Sequence, residues 1–282
     1  MKKILVPTDF SKPATIAYEV ALSIAKKAGA EVTLLHVIEQ PGTSALTITG
    51  EVMQSSFEDQ LFTMKLIQKS KQQLEKMASI SNGVTVKTDL KVGNAFRGMR
   101  DIITSKDVDL VVMGTSGRSA FEEVVIGSNT EKVVRHSKCP VLTVHKKPAS
   151  LNFKHIVYAT SMHKDEEVFS KIVRKAQEMY GSKLHLLRVN TPGNFQRDDV
   201  TRKQMELFAK KLNLKNFTIN IYNDITEEEG IIRFSETINA SMVALATHGR
   251  TGFAHLMAGS IAEDVVNHAK RPVLTFVVKK RK

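Results

Sequence analysis

Apolar residues fall into two alternating rhythms along the chain. Short continuous runs, such as Ile4-Leu5-Val6 and residues 32–37, 110–113 and Val141–Val144, suit strands buried on both faces. Between them apolar residues recur at helical spacing. Ala14, Ala17, Ala21, Leu22, Ala25 and Ala28 share one face. Ser11 stands where an N-cap is needed, Pro13 fits a first helical turn, and Gly29 ends the segment. Phe57, Leu61, Met64, Ile67, Leu74 and Met77 trace the apolar face of a second helix. A strand follows over 84–92, and Ile102-Ile103 belong to a helix before the 110–113 run. The later part repeats the series, with strands near 155–159, 183–189, 217–222, 242–246 and 273–278. Strands separated by helices predict an α/β fold: a mostly parallel sheet, covered on both faces and joined by right-handed crossovers.

The repetition extends to residue identity. GSNTEKVVRHSKCPVLT at 127–143 matches GSIAEDVVNHAKRPVLT at 259–275, an offset of 132 shared by Gly117/Gly249, Arg118/Arg250 and Phe121/Phe253. Nearer the start of each copy the offset is 152: KKILVPTD aligns with KHIVYATS, and Leu34-Leu35-His36-Val37 with Leu186-Leu187-Arg188-Val189. The first copy therefore holds about 20 additional residues between Val37 and Val108. Two domains are expected, 1–148 and 152–282, with a linker short enough to keep them packed together. Within the additional stretch, GTSALTITG at 42–50 has turn residues at both ends and an apolar middle. It reads either as a flap over a site or as a contact with the other domain.

Composition narrows the function classes. The 282 residues are 42% hydrophobic and 25% charged, ordinary values for a globular chain. No apolar run is long enough to span a bilayer, and MKKILVPTDF reads as a first strand and not a signal peptide. Cys139 is the only cysteine, so neither an intrachain disulfide nor a cysteine-rich zinc site is available, and a cytoplasmic location is expected. The net charge of +12 is spread: 20 Lys+Arg against 15 Asp+Glu in residues 1–150, then 21 against 14, four of the latter basic residues being the terminal Lys279-Lys280-Arg281-Lys282. With aromatics at 6% and no tryptophan, the pattern argues against nucleic acid as a partner.

Ligands of open α/β sheets sit beyond the C-terminal strand ends, where strand order reverses. Pro7-Thr8-Asp9 follows the first strand. Gly114-Thr115-Ser116-Gly117-Arg118 follows the fourth, and Gly127-Ser128-Asn129-Thr130 opens a helix. Glycines let backbone amides approach a phosphate, and a helix N-terminus adds unpaired N–H groups. Ser128 and Thr130 offer hydroxyls, Arg118 a cation, and Asp9 a carboxylate for ribose or for a phosphate-bound metal. Read alone, the glycines also fit ordinary turns and Asp9 also fits a helix cap, so spacing leaves both readings open. Gly93-Asn94-Ala95-Phe96-Arg97-Gly98 is spaced like a P-loop but has Met99 where lysine is required, and no GxGxxG follows the first strand.

At these residues the chain resembles the universal stress protein family in its tandem two-domain form. The match rests on Gly114-x2-Gly117-x9-Gly127-Ser128, on Asp9 after the first strand, and on the strand-end form Val111-Val112-Met113-Gly114. The resemblance implies two Rossmann-like domains, each with five parallel strands in the order 3-2-1-4-5. It implies ATP with Mg2+ as a regulatory or sensing ligand in a stress response. Carried over, Asp9 contacts the ribose, with Pro7 and Thr8 along the adenosine. The backbone of Val37 pairs with the adenine edge. Gly114, Gly117 and Arg118 wrap the phosphates, Gly127, Ser128, Asn129 and Thr130 bind them through amides and hydroxyls, and Met113 is a further nucleotide-binding residue. Family members often carry a bulky apolar residue where Asn129 stands. The resemblance also pairs the last strands of the two domains within the chain, leaving further homodimerisation open. The alternatives are a slow ATP hydrolase and an interaction scaffold without nucleotide.

The second copy departs from this pattern. Asp9 aligns with Ser161, Gly114 with Ala246 and Pro7 with Ala159, while Gly249, Arg250, Gly259 and Ser260 persist. ATP is therefore expected in the first domain alone. Other constellations point to structure: His136 and His268 at helix ends, His248 in the second glycine loop, Cys139 as an inert thiol, and Glu227-Glu228-Glu229 as a solvated helix start.

Overall fold

The computed structural model describes residues 1–39, 57–115, 127–248 and 261–278. In chain order the first half runs β1 Lys3–Pro7, α1 Lys12–Ala28, β2 Glu31–Ile38, α2 Phe57–Ala78, β3 Val86–Val92, α3 Ala95–Ser105, β4 Leu110–Gly114, α4 Ser128–His136 and β5 Val141–Val144. The second half runs β6 His155–Ala159, a 3-10 turn Lys164–Glu166, α5 Glu167–Tyr180, β7 Lys183–Asn190, α6 Asp198–Lys211, β8 Phe217–Asn223, α7 Glu227–Thr237, β9 Met242–His248, α8 Ile261–His268 and β10 Val273–Val278.

All ten strands form one sheet, ordered β3-β2-β1-β4-β5-β10-β9-β6-β7-β8. Each half has the 3-2-1-4-5 order and is parallel throughout. The halves meet through an antiparallel pair of their last strands. Its register, Val273↔Thr143, Leu274↔Leu142 and Thr275↔Val141, sets the equivalent residues Leu142 and Leu274 opposite one another. A local two-fold passes through that pair. The threonines follow it: Thr143 donates to the Val273 carbonyl at 3.2 Å and Thr275 to the Val141 carbonyl at 3.4 Å. Two strands that would otherwise be exposed edges thus satisfy each other.

The continuous apolar runs are the central strands, with Ile4, Leu5 and Val6 at most 1% exposed. One sheet face carries a core that crosses the seam, from Leu34 and Val112 through Leu142 and Leu274 to Tyr158 and Leu186. The opposite face carries a separate core in each half, around Val111 and Val243. On that face Arg135 of α4 makes a two-pronged bond to Glu263 of α8, at 2.8 and 2.5 Å, adding a polar clamp across the seam.

Local signals act as read. Ser11 caps α1, Pro13 lies in its first turn, and Gly29 closes it at φ 63°, in the left-handed region that favours glycine. The apolar face expected along α2 is only half used. Leu74 is 1% exposed and Met77 is partly buried, whereas Leu61 and Met64 are exposed, because only the later turns of α2 lie over the sheet core. The segment 227–229 opens α7 as expected, but its carboxylates are engaged and not merely solvated. Glu227 accepts from Asn194, Glu228 contacts His268 at the end of α8, and Glu229 lies 3.6 Å from Arg233. The stretch 42–50 lies outside the described residues.

Candidate functional site

Strand order reverses between β1 and β4, and there the first half opens into a cavity of about 610 Å3. That size falls within the ~300–1,000 Å3 range of small-molecule sites. Pro7, Thr8, Asp9, Val37, Met113, Gly114, Gly127, Ser128, Asn129 and Thr130 all line it, so the structure brings together ten of the residues read from the sequence. Gly117 and Arg118 lie outside the described residues.

The turn after β1 is held by its own side chains. The Phe10 N–H donates to Thr8 Oγ1 at 3.0 Å, and the Ser11 N–H donates to Asp9 Oδ1 at 3.0 Å. Ser11, not Asp9, caps α1. Asp9 is exposed at the cavity, with its second oxygen free of any hydrogen bond among the described residues. Phe10 sits at φ 64°, a left-handed conformation costing about 1 kcal/mol for such a residue, and its equivalent Met162 sits at φ 60°. The Phe10 ring lies 4.4 Å from that of His36, whose Nδ1 is 2.7 Å from the Thr8 carbonyl. This bend was not foreseen; nothing in the local sequence announces it.

The Val37 edge follows from strand geometry. Leu35 accepts from the Thr8 N–H at 2.8 Å, so its backbone faces β1, whereas Ile38 accepts from the Gly93 N–H and faces the β3 side. Backbone direction alternates along a strand, so Val37 also faces the β1 side. But β1 ends at Pro7. Among the described residues, the N–H and C=O of Val37 are left as an adjacent donor and acceptor on the cavity wall.

On the other side, α4 begins without a side-chain cap at Gly127. Its first N–H groups lack intrahelical partners and carry the positive end of the helix dipole. Gly127 has φ −60°, which any residue adopts, and a Cβ there would meet nothing within 4 Å. Neither conformation nor packing demands glycine at this position; what a methyl would occupy is space in the cavity. Gly114 is the reverse case. A Cβ there would lie 2.7–2.9 Å from Pro13, so this glycine lets the start of α1 pack on the end of β4. Gly114 therefore both lines the cavity and makes room for α1. Gly114→Ala is expected to destabilise the fold by about 2 kcal/mol through overpacking. Gly127→Ala should stay within about 1 kcal/mol. Urea unfolding of both variants checks this.

Thr130 is buried and its hydroxyl proton goes to the Gly114 carbonyl at 3.1 Å, so that donor is already spent on tying α4 to β4. Asn129 reaches toward Glu39 at 3.5 Å, and Glu39 also accepts from the Ala95 N–H at 3.3 Å. Sequence reading passed over Glu39, whose only signal was its place after β2. The described lining carries two carboxylates, Asp9 and Glu39, and no lysine or arginine. Among the described residues, the groups there that suit an anion are the amides at the start of α4.

The corresponding cavity of the second half is about 110 Å3. Glu166, equivalent to Ala14 under the 152 offset, lines it. Its carboxylate, 1% exposed, lies where Ala14 leaves space. It accepts from Tyr158 at 3.1 Å, Thr160 at 2.7 Å, the Ser161 N–H at 3.1 Å, the Ser161 hydroxyl at 2.8 Å and the His163 N–H at 3.3 Å. Burial, with the Glu166 charge beside it, holds the Tyr158 phenol well above its usual pKa. Gly230 of α7 also presses on Val189, the equivalent of Val37, so closely that a Cβ would lie 2.5 Å from its methyl. His248 ends β9, and Gly249, Arg250, Gly259 and Ser260 lie outside the described residues.

A doubly wound parallel sheet with its crevice at the switch point defines a Rossmann-like ligand-binding fold. The universal stress protein family model matches residues 1–145 and 152–277, and the chain belongs to that family. Universal stress protein MJ0531 of Methanocaldococcus jannaschii is 32% identical over 147 residues, covering 51% of this chain and 82% of that protein. Universal stress protein Slr1230 of Synechocystis sp. is 24% identical over 296 residues, covering 98% of this chain and 100% of that one. The crystal structure of a universal stress protein from Archaeoglobus fulgidus matches with a TM-score of 0.73 at 20% identity, covering 99% of this chain and 97% of that chain, a likeness of fold. Among the described residues no helix is long and apolar enough to cross a membrane.

Proposed function

We propose that the first half binds an adenine nucleotide, ATP with Mg2+, as a regulatory ligand in a stress response, and that the second half binds none. The observation that carries this reading is the pairing, in one cavity, of the free donor–acceptor edge at Val37 with the uncapped start of α4 behind Gly127. The first matches the amino group and ring nitrogen of adenine. The second matches a phosphate, which the helix dipole and bare amides favour. Asp9 lies between β1 and α1, with one carboxylate oxygen free for ribose hydroxyls or for the phosphate-bound Mg2+. No group of three or more His, Cys, Asp or Glu among the described residues is arranged to hold a metal, so Mg2+ would depend on the phosphates for most of its ligands. Hydrolysis would need a residue to activate water, and the described lining offers Asp9, Glu39 and His36 as bases.

Calorimetric titration with ATP and Mg2+ tests the reading. One site per chain is expected, weakened at least ~10-fold by Asp9→Ala and by Gly127→Ala. Two sites would mean that Glu166 does not close the second half. Absence of heat from folded, ligand-free protein would remove the proposal.

A further inference from the structure

A second cavity, about 320 Å3, lies over the seam and shares no lining residue with the first. The facing pair Leu142 and Leu274 lines it from the sheet, Ile24 of α1 from one side, and Ile172, Ala176 and Met179 of α5 from the other. It is thus built by both halves and exists only because β5 and β10 pair. Its polar groups are few and placed. Tyr180 lines it, is 5% exposed, and has a buried hydroxyl with no hydrogen-bond partner. Buried hydroxyls are nearly always partnered, so one left without a partner beside a cavity is a spare donor at that cavity's wall. At the rim stand Lys138 and Lys175, both exposed, with Asp109. Asp109 already accepts from the N–H groups of Lys2 at 2.6 Å and Lys3 at 3.0 Å. The lysines form no ion pair among the described residues, so the rim is net positive.

An apolar interior, an acceptor-seeking hydroxyl and a cationic rim have one complement. We propose that the seam cavity binds a small amphipathic anion, a medium-chain aliphatic carboxylate, with its chain against Leu142 and Leu274 and its carboxylate at Lys138, Lys175 and Tyr180. Such a ligand would bridge the two halves and hold the seam closed. This does not rest on the nucleotide reading, since the cavities are separate.

The test is calorimetric titration of the full chain with decanoate below its micellar range, with decylammonium as the same chain of opposite charge. One decanoate per chain is expected, with decylammonium at least ~10-fold weaker. Ala176→Phe, which fills the cavity, should abolish binding. The paired reversal Lys138→Glu with Lys175→Glu should weaken it about tenfold. Tyr180→Phe should weaken decanoate several-fold without lowering the melting temperature of the empty protein, because it removes a polar group that has no partner there. ATP should neither displace decanoate nor be displaced by it. Equal binding of the two amphiphiles, or binding unaffected by both Tyr180→Phe and the lysine reversal, would overturn the proposal even if Ala176→Phe failed to fold.

Discussion

Ala14→Glu is expected to abolish nucleotide binding by the first half while leaving the chain folded. The substitution installs there the residue that closes the second half. Ala14 lines the first cavity at the start of α1, where an acidic residue suits the helix dipole. The donors that hold Glu166 have counterparts close by: Thr8 for Thr160, the Asp9 N–H for that of Ser161, and the Ser11 N–H for that of His163. The Tyr158 and Ser161 hydroxyls are missing, since Val6 and Asp9 stand in their places. A carboxylate at this point would occupy the crevice and set a third negative charge beside Asp9 and Glu39, facing the phosphates. Affinity for ATP should fall at least ~100-fold, which is about 2.7 kcal/mol. Ala14→Gln separates bulk from charge: it should cost binding less if repulsion dominates. Titration of both variants decides, and retention of wild-type affinity in Ala14→Glu would sink the account of why the second half is closed.

Much of this architecture was legible in the sequence. Continuous apolar runs gave the strands, and the 132-residue offset made the last strands equivalent, which is what a symmetric seam requires. Ser11, Pro13 and Gly29 act through local backbone chemistry, so their roles could be read without tertiary contacts. What failed to show depended on which surfaces meet. Leu61 and Met64 have helical spacing yet are exposed, since periodicity states what a helix can bury and not what lies beneath it. Gly114 lines the cavity as read, but its packing against Pro13, about 100 residues earlier in the chain, did not show. The most consequential omission was Glu166. Its signal was present in the Ala14/Glu166 alignment, but that column is silent in the first half, because an alanine marks space only once something fills its counterpart.

Glu166→Ala should accordingly destabilise the second half by about 3 kcal/mol. It would strip acceptors from the Tyr158, Thr160 and Ser161 hydroxyls and from two backbone N–H groups. Each orphaned donor costs ~1–3 kcal/mol, offset by the desolvation of the carboxylate that is no longer required and by water entering the vacated space. Glu166→Gln, which keeps the shape but turns one acceptor into a donor, should lose roughly half as much. Because one core runs across the seam, unfolding in urea should remain a single transition shifted to lower denaturant. The variant also separates the two halves functionally. If nucleotide binds only in the first, saturating ATP should raise the stability of Glu166→Ala and of wild type by the same increment, set by concentration over Kd. A larger increment in the variant would mean that removing the carboxylate had opened a second site, making Glu166 the residue that excludes ligand. Equal increments with a shift under ~0.5 kcal/mol would show that its hydrogen bonds contribute little, and the closed second half would then need another cause.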